Sequence, residues 1–152
     1  ATLIGQSLGR RDPDEAGRWG WASVRLGLVV FGVIGLCEGV FFTHPIVNFI
    51  SHSTAVRAAA IFPMRLMGMA TPIISVALIL SEGLFGAGST RFVAAAQAIL
   101  VFAVLVPGAY VIGIEWHHGL NGIWIAAFVY SCLAAVVMSA KFAGGGWKKI
   151  RI

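Results

Sequence analysis

Four long apolar runs, each nearly empty of charge, decide what this chain can fold into. They extend from about Val24 to Phe42, Leu66 to Phe85, Phe92 to Ile114 and Ile123 to Ala140. Crossing ~30 Å of hydrocarbon takes roughly 20 helical residues, and each run is of that order. In the third, Gln97 is the one strongly polar side chain. Only 11% of the 152 residues are charged, against about 25% in soluble domains, so the chain cannot cover itself with a hydrated surface. The expectation is an all-α integral membrane protein of about four transmembrane helices, preceded by the end of another over Ala1 to Leu8.

The connections are punctuated as this reading requires. Asp12 can cap a helix whose first position is Pro13, and Asp14 and Glu15 meet the positive end of its dipole. Thr43-His44-Pro45 closes the first run, and Gly83 through Thr90 breaks the chain after the second. Glu115 through Gly122 makes the third connection, and Gly144-Gly145-Gly146 releases the tail. The opening Ala1-Thr2-Leu3-Ile4 reads as the tail of a helix already under way, which predicts a piece of a larger protein.

Orientation follows from the bases. Arg10, Arg11, Arg18, Arg25, Arg91, Lys141, Lys148, Lys149 and Arg151 fall on one side of a four-span topology; of the 11 Lys and Arg, only Arg57 and Arg65 fall on the other. Positively charged loops stay in the cytoplasm, which predicts a multi-pass protein of the cell (inner or plasma) membrane with a cytoplasmic C-terminus. Trp19, Trp21 and Trp147 fall at that boundary, and Trp116 and Trp124 at the outer one. The net charge of +5 is explained by these flanks. No base-and-aromatic face suggests nucleic acid, so the lipid bilayer is the expected partner. Cys37 and Cys132 lie inside apolar runs and read as small buried hydrophobes.

Helix association in lipid relies on close backbone approach. Gly35 and Gly39 on the first span, and Ala127, Ser131, Ala135 and Ser139 on the fourth, are small residues at spacing four. Chemistry is harder to place. There is no nucleophile with its base, no metal-ligand spacing and no phosphate loop, so an enzyme is not expected, nor a cofactor. Polar groups inside the spans are costly, which makes Glu38, Glu82 and Gln97 candidates for a solute- or proton-handling cavity. On the second span Arg65, Gly68, Pro72, Ser75, Glu82 and Gly86 recur near spacing 3.5 with Thr71 beside them, predicting one small or polar face. Pro63 and Pro72 can bend that helix.

Three segments together resemble the multidrug and toxic compound extrusion (MATE) transporters. Ala1 to Gly9, with Gly5, Gln6 and Gly9, followed by Asp12-Pro13, is similar to the loop after that family's eighth helix. Gly83-Leu84-Phe85-Gly86-Ala87-Gly88-Ser89-Thr90-Arg91 resembles the loop after its tenth, and Gly119 to Trp124 with the tail at Lys141-Phe142 and Gly146 to Ile150 the start and end of its twelfth. The resemblance implies twelve helices in two lobes, of which residues 1–152 would form the end of helix eight and helices nine to twelve. It implies a secondary-active antiporter exporting drugs or other small organic cations in exchange for protons or sodium, with the N-terminal lobe as the missing partner. Phe85 and Ser89 stand where the family's loop carries Arg and Asp, and Ile74 stands where some members hold a sodium-linked carboxylate. The acidic residue of helix one lies outside the chain, which leaves the coupling ion open. A lipid-linked saccharide flippase of the same superfamily and a four-helix scaffold or assembly subunit are the alternative readings. Alternating access needs two lobes, so these helices alone are not expected to transport.

Overall fold

The computed structural model describes residues 2–149. A short α1 (Thr2–Gly9) leads through a turn into α2 (Pro13–Phe41). Asp12 caps α2 as its sequence predicts: its Oδ1 accepts a hydrogen bond from the Glu15 amide at 2.9 Å, with Pro13 in the first turn. The last turn of α2, Cys37–Phe41, is π-helical. α3 (Thr43–Ile50) follows, then α4 (Thr54–Gly86), α5 (Thr90–Glu115), α6 (Gly119–Ala143) and a 3-10 turn, Gly146–Lys149. α2, α4, α5 and α6 are the four helices long and apolar enough to cross a membrane. The fold is all-helical over the described residues, and its four spans contain the four apolar runs except for Phe42, which lies just past the end of α2.

Helix boundaries are wider than the runs. α4 begins at Thr54, 33 residues long, so it measures about 50 Å and overreaches the hydrocarbon. Pro63 and Pro72 sit inside it without ending it. α3 is a feature that the apolar runs do not signal. It buries Thr43 and Val47 while Phe49 and Ile50 stay exposed, the pattern of a short amphipathic helix at a membrane surface. The Thr43 hydroxyl, fully buried, donates to the Glu38 carbonyl at 2.8 Å and ties the start of α3 to the π turn. α5 carries two more π turns, Val101–Leu105 and Val111–Glu115. The first of them ends just before Pro107, whose missing amide removes a helical bond there.

α4 is the central helix: a third of its most apolar stretch is buried, against 17% for α5. Its most extensive neighbours are α2 and α6. The α2–α4 crossing is backbone on backbone. A Cβ added to Gly68 would lie 2.5 Å from the Gly39 Cα and 2.6 Å from the Gly35 carbonyl oxygen. The small pair predicted on the first span is therefore a contact surface. On α6 the buried line is Gly122, Ala126, Ala134, Met138 and Phe142, one position away from the expected stripe, of which Ser131 alone is buried. Gly122 at the head of this line meets Gly113 of α5; its added Cβ would lie 2.9 Å from the Gly113 Cα.

Two expectations about the loops need correction. The glycine-rich segment from Gly83 does not break the chain at once: α4 continues through Gly86, and only Ala87 to Ser89 turn, with Gly88 at φ 77°. Nor is the tail released by its three glycines. Gly145, at φ 66°, turns it back, and Trp147 is buried to 1% exposure. Its indole stacks on Phe142 at 4.7 Å and donates to the Phe142 carbonyl at 2.7 Å. A buried indole is stable only with its N–H satisfied, and the turn at Gly145 supplies that acceptor.

The crossing makes a specific demand. Gly68→Ala is expected to cost about 1–3 kcal/mol through overpacking and to lower the thermal unfolding midpoint of the purified protein. Gly32→Ala, where an added Cβ meets nothing within 4 Å, should leave it unchanged. Equal midpoints for the two variants would refute the close crossing.

Candidate functional site

The ends of α1, α2, α4, α5 and α6 gather at one end of the bundle around Ile4, Ala16, Leu80, Leu84, Val93 and Phe142. The first two segments singled out in the sequence meet here with Lys141, Phe142 and the tail through Lys149, whereas Gly119 to Trp124 opens α6 at its other end and Ile150 lies outside the described residues. A Cβ on Gly5 would lie 3.1 Å from the Gly86 carbonyl oxygen, and one on Gly83 would lie 3.0 Å from Ile4 and 3.5 Å from Phe142. Gly5, Gly83 and Gly86 thus act as close-packing positions. Gln6, Gly9, Gly88, Thr90 and Arg91 are exposed, with Thr90 opening α5. Ser7 lies beneath them, fully buried, its hydroxyl without a partner among the described residues. Charges clamp the same end: Arg10 pairs with Glu15 at 3.0 Å, Lys148 with Asp14 at 2.7 Å, and the Lys141 ammonium stands 4.5 Å from the Phe92 ring centroid.

Between α4, α5 and α6 lie two adjoining clefts of about 190 and 220 Å³ that share Ile74, Tyr130 and Ser131 in their walls. The first adds Ser81 and Gln97; the second is apolar and aromatic, with Trp124 and Phe128. Tyr130 is 11 residues beyond Gly119, about 16 Å along α6 and near its middle. Ser131 donates its hydroxyl to the Ala127 carbonyl at 2.8 Å, a bond internal to the helix. The half-buried Gln97 amide and Tyr130 phenol therefore supply the cleft's main polar recognition groups. Such a site, mostly apolar with a few convergent polar atoms, suits a small organic molecule.

The six pathway candidates do not converge. Gln97 alone reaches this cleft. Ser75 is 3% exposed, gives its hydroxyl to the Pro72 carbonyl at 2.7 Å and packs toward Gly27 of α2. Thr71 donates to the Met67 carbonyl at 2.8 Å. Both hydroxyls are occupied by their own helix, as serine and threonine often are in apolar surroundings. Arg65 is exposed and borders a separate apolar groove between α2 and α4 with Gly32, Leu36 and Met69. Glu82 is exposed one turn before the end of α4, and the half-buried Glu38 lies in the π turn of α2. The small face of α4 thus approaches α2: Arg65, Gly68 and Pro72 line the groove between the two helices, while Thr71, Ser75 and Glu82 lie outside it. Tyr130 and Ser81 were not singled out from the sequence; the signal available was the adjacent polar pair Tyr130-Ser131 inside an apolar run.

A family model described as MatE matches residues 1–111. No curated protein and no solved structure matches the chain. The family match takes in α1 to α4 and most of α5, so the chain belongs to the MatE family, whose members are multi-helix membrane transporters rather than enzymes. α6 and the tail lie beyond the match and join it through the packing described above.

The cleft predicts a pattern of water access. With Cys37 and Cys132, both half-buried, replaced by Ser, a cysteine at Gln97 should react with a membrane-impermeant maleimide. One at Ile99, 64% exposed on the apolar side of α5, should stay unreacted. Inert Gln97→Cys, or equal labelling of both, would remove the cleft from the transport pathway.

Proposed function

We propose that this chain forms most of the C-terminal lobe of a two-lobe antiporter, comprising the end of its helix eight and helices nine to twelve. In this reading the antiporter exports drugs or other organic cations in exchange for protons or sodium. The cleft bounded by Gln97 and Tyr130 is the observation that carries the reading: its walls are mostly apolar and aromatic, with a few polar residues among them, and Tyr130 stands near the middle of α6. A tyrosine ring also attracts an organic cation through its π face. Among the described residues no basic side chain lines either cleft, which favours a cationic solute over the pyrophosphate of a lipid-linked saccharide. No carboxylate lines them either, and Ile74 occupies the shared wall. The ion-coupling acid is therefore assigned to the N-terminal lobe, and this lobe to substrate contact. The end that gathers Arg10, Arg11, Arg18, Arg91 and Lys148 faces the cytoplasm.

In the full-length protein, expressed in a host stripped of its own exporters, Gln97→Leu and Tyr130→Phe should each lower efflux of a cationic dye. The expected loss is about fivefold, the weight of one hydrogen bond of about 1 kcal/mol. Ser75→Ala should change efflux little. Undiminished efflux from both cleft variants at normal protein levels would overturn the assignment.

A further inference from the structure

One face of α2 changes character along its length in a way that the transport cleft does not use. Asp14, Arg18, Trp21 and Arg25 are exposed at helical spacing. With Trp147 and Lys148 of the tail they border a groove of about 700 Å³. Lys148 neutralises Asp14 at 2.7 Å. Arg18 and Arg25 make no ion pair among the described residues, and seven residues set them about 10 Å apart along one face. Directly below them the same face becomes apolar. Leu28 and Val29 are exposed, then Gly32 and Leu36 open into the groove of about 530 Å³ shared with Met69 and Pro72 of α4. Gly32 has nothing within 4 Å of an added Cβ, so the groove has an open floor.

Two guanidiniums and an indole above an exposed apolar stretch that leads to a groove match the two halves of one kind of molecule. Trp21 stands between the two arginines on this face, and indoles prefer the layer between headgroup and acyl chain. Arg18 and Arg25 precede the apolar stretch of the helix, and planar guanidiniums bind phosphate oxygens in pairs. We infer that this face of α2 binds an anionic phospholipid, its phosphate held between Arg18 and Arg25 beside the tail and an acyl chain lying over Gly32. The site is separate from the cleft of α4, α5 and α6. The lipid would fasten the C-terminal tail to α2, since Lys148 and Trp147 line the same groove.

Native mass spectrometry of the full-length protein, titrated with phosphatidylglycerol or with phosphatidylcholine of the same acyl chains, tests this. Each interfacial arginine contributes about fivefold in affinity. Arg18→Gln/Arg25→Gln should therefore weaken phosphatidylglycerol binding about 25-fold and leave phosphatidylcholine unchanged. Arg18→Lys/Arg25→Lys, which keeps both charges without the paired geometry, should bind more tightly than the glutamine pair and less tightly than the unsubstituted protein, and binding no better than the glutamine pair would overturn the charge-based reading. Arg11→Gln/Arg91→Gln, which removes the same charge from the same end outside the groove, should have little effect. An equal loss in that second pair would mean diffuse attraction rather than a site and would overturn the proposal. Displacement of the lipid by excess inorganic phosphate alone would overturn it too, by showing an anion site indifferent to the acyl chain.

Discussion

Helices in a bilayer gain nothing from the hydrophobic effect when they meet, because lipid tails are as apolar as the side chains they replace. α2 and α4 solve this by removing side chains where they cross, so that Gly35 and Gly39 lie against Gly68. Dispersion contacts between backbones substitute for burial. The rest of the bundle is arranged around this crossing. It leaves the opposite side of α4 to receive α6, and it orients the exposed face of α2 that carries Arg18 and Arg25. At one end the helices are sealed by Leu80, Leu84, Phe142 and Trp147.

What could be read in the sequence was what depends on composition over many residues. Run length located the four spans, charge placed their basic ends together, and Asp12-Pro13 marked the start of α2. The Gly35/Gly39 pair was legible because small residues one turn apart have few other uses in lipid. What failed depended on phase or on distant partners. Ala126 and Ala134 stand one position before Ala127 and Ala135 on the same spacing of four, so the residue pattern left the phase of the buried line of α6 open and only its packing partners fixed it. Thr71 and Ser75 looked available for a solute, but whether a helical hydroxyl turns back onto its own carbonyls is a matter of rotamer, not of pattern. The buried Trp147 depends on stacking against Phe142, whose ring is in turn seated on Gly20 of α2.

The candidate site shows the same division. Gln97 stood out as the one strongly polar residue in its run, and it lines the cleft. Tyr130 did not, because its one signal, the adjacent Ser131 inside an apolar run, does not tell a cleft residue from one whose hydroxyl bonds within its own helix. In the proposed reading, which family membership and the cleft support, the α2–α4 face serves packing and the α4–α5–α6 face meets the solute. Separating the two faces matters, because substitutions on the first alter stability and those on the second alter selectivity.

The central claim is the glycine crossing, and a distance in the membrane tests it most directly. Gly68 Cα lies 3.0 Å from the Cβ position of Gly39, so the two Cα atoms are within about 4.5 Å once one carbon–carbon bond is added. Solid-state NMR of the full-length protein, labelled with ¹³C at the glycine Cα and reconstituted in lipid, should show a strong Gly39–Gly68 Cα cross-peak at short mixing time. Replacing either glycine identifies the peak by its loss. A resolved pair of signals with no cross-peak between them would place the helices a side chain apart and contradict the account.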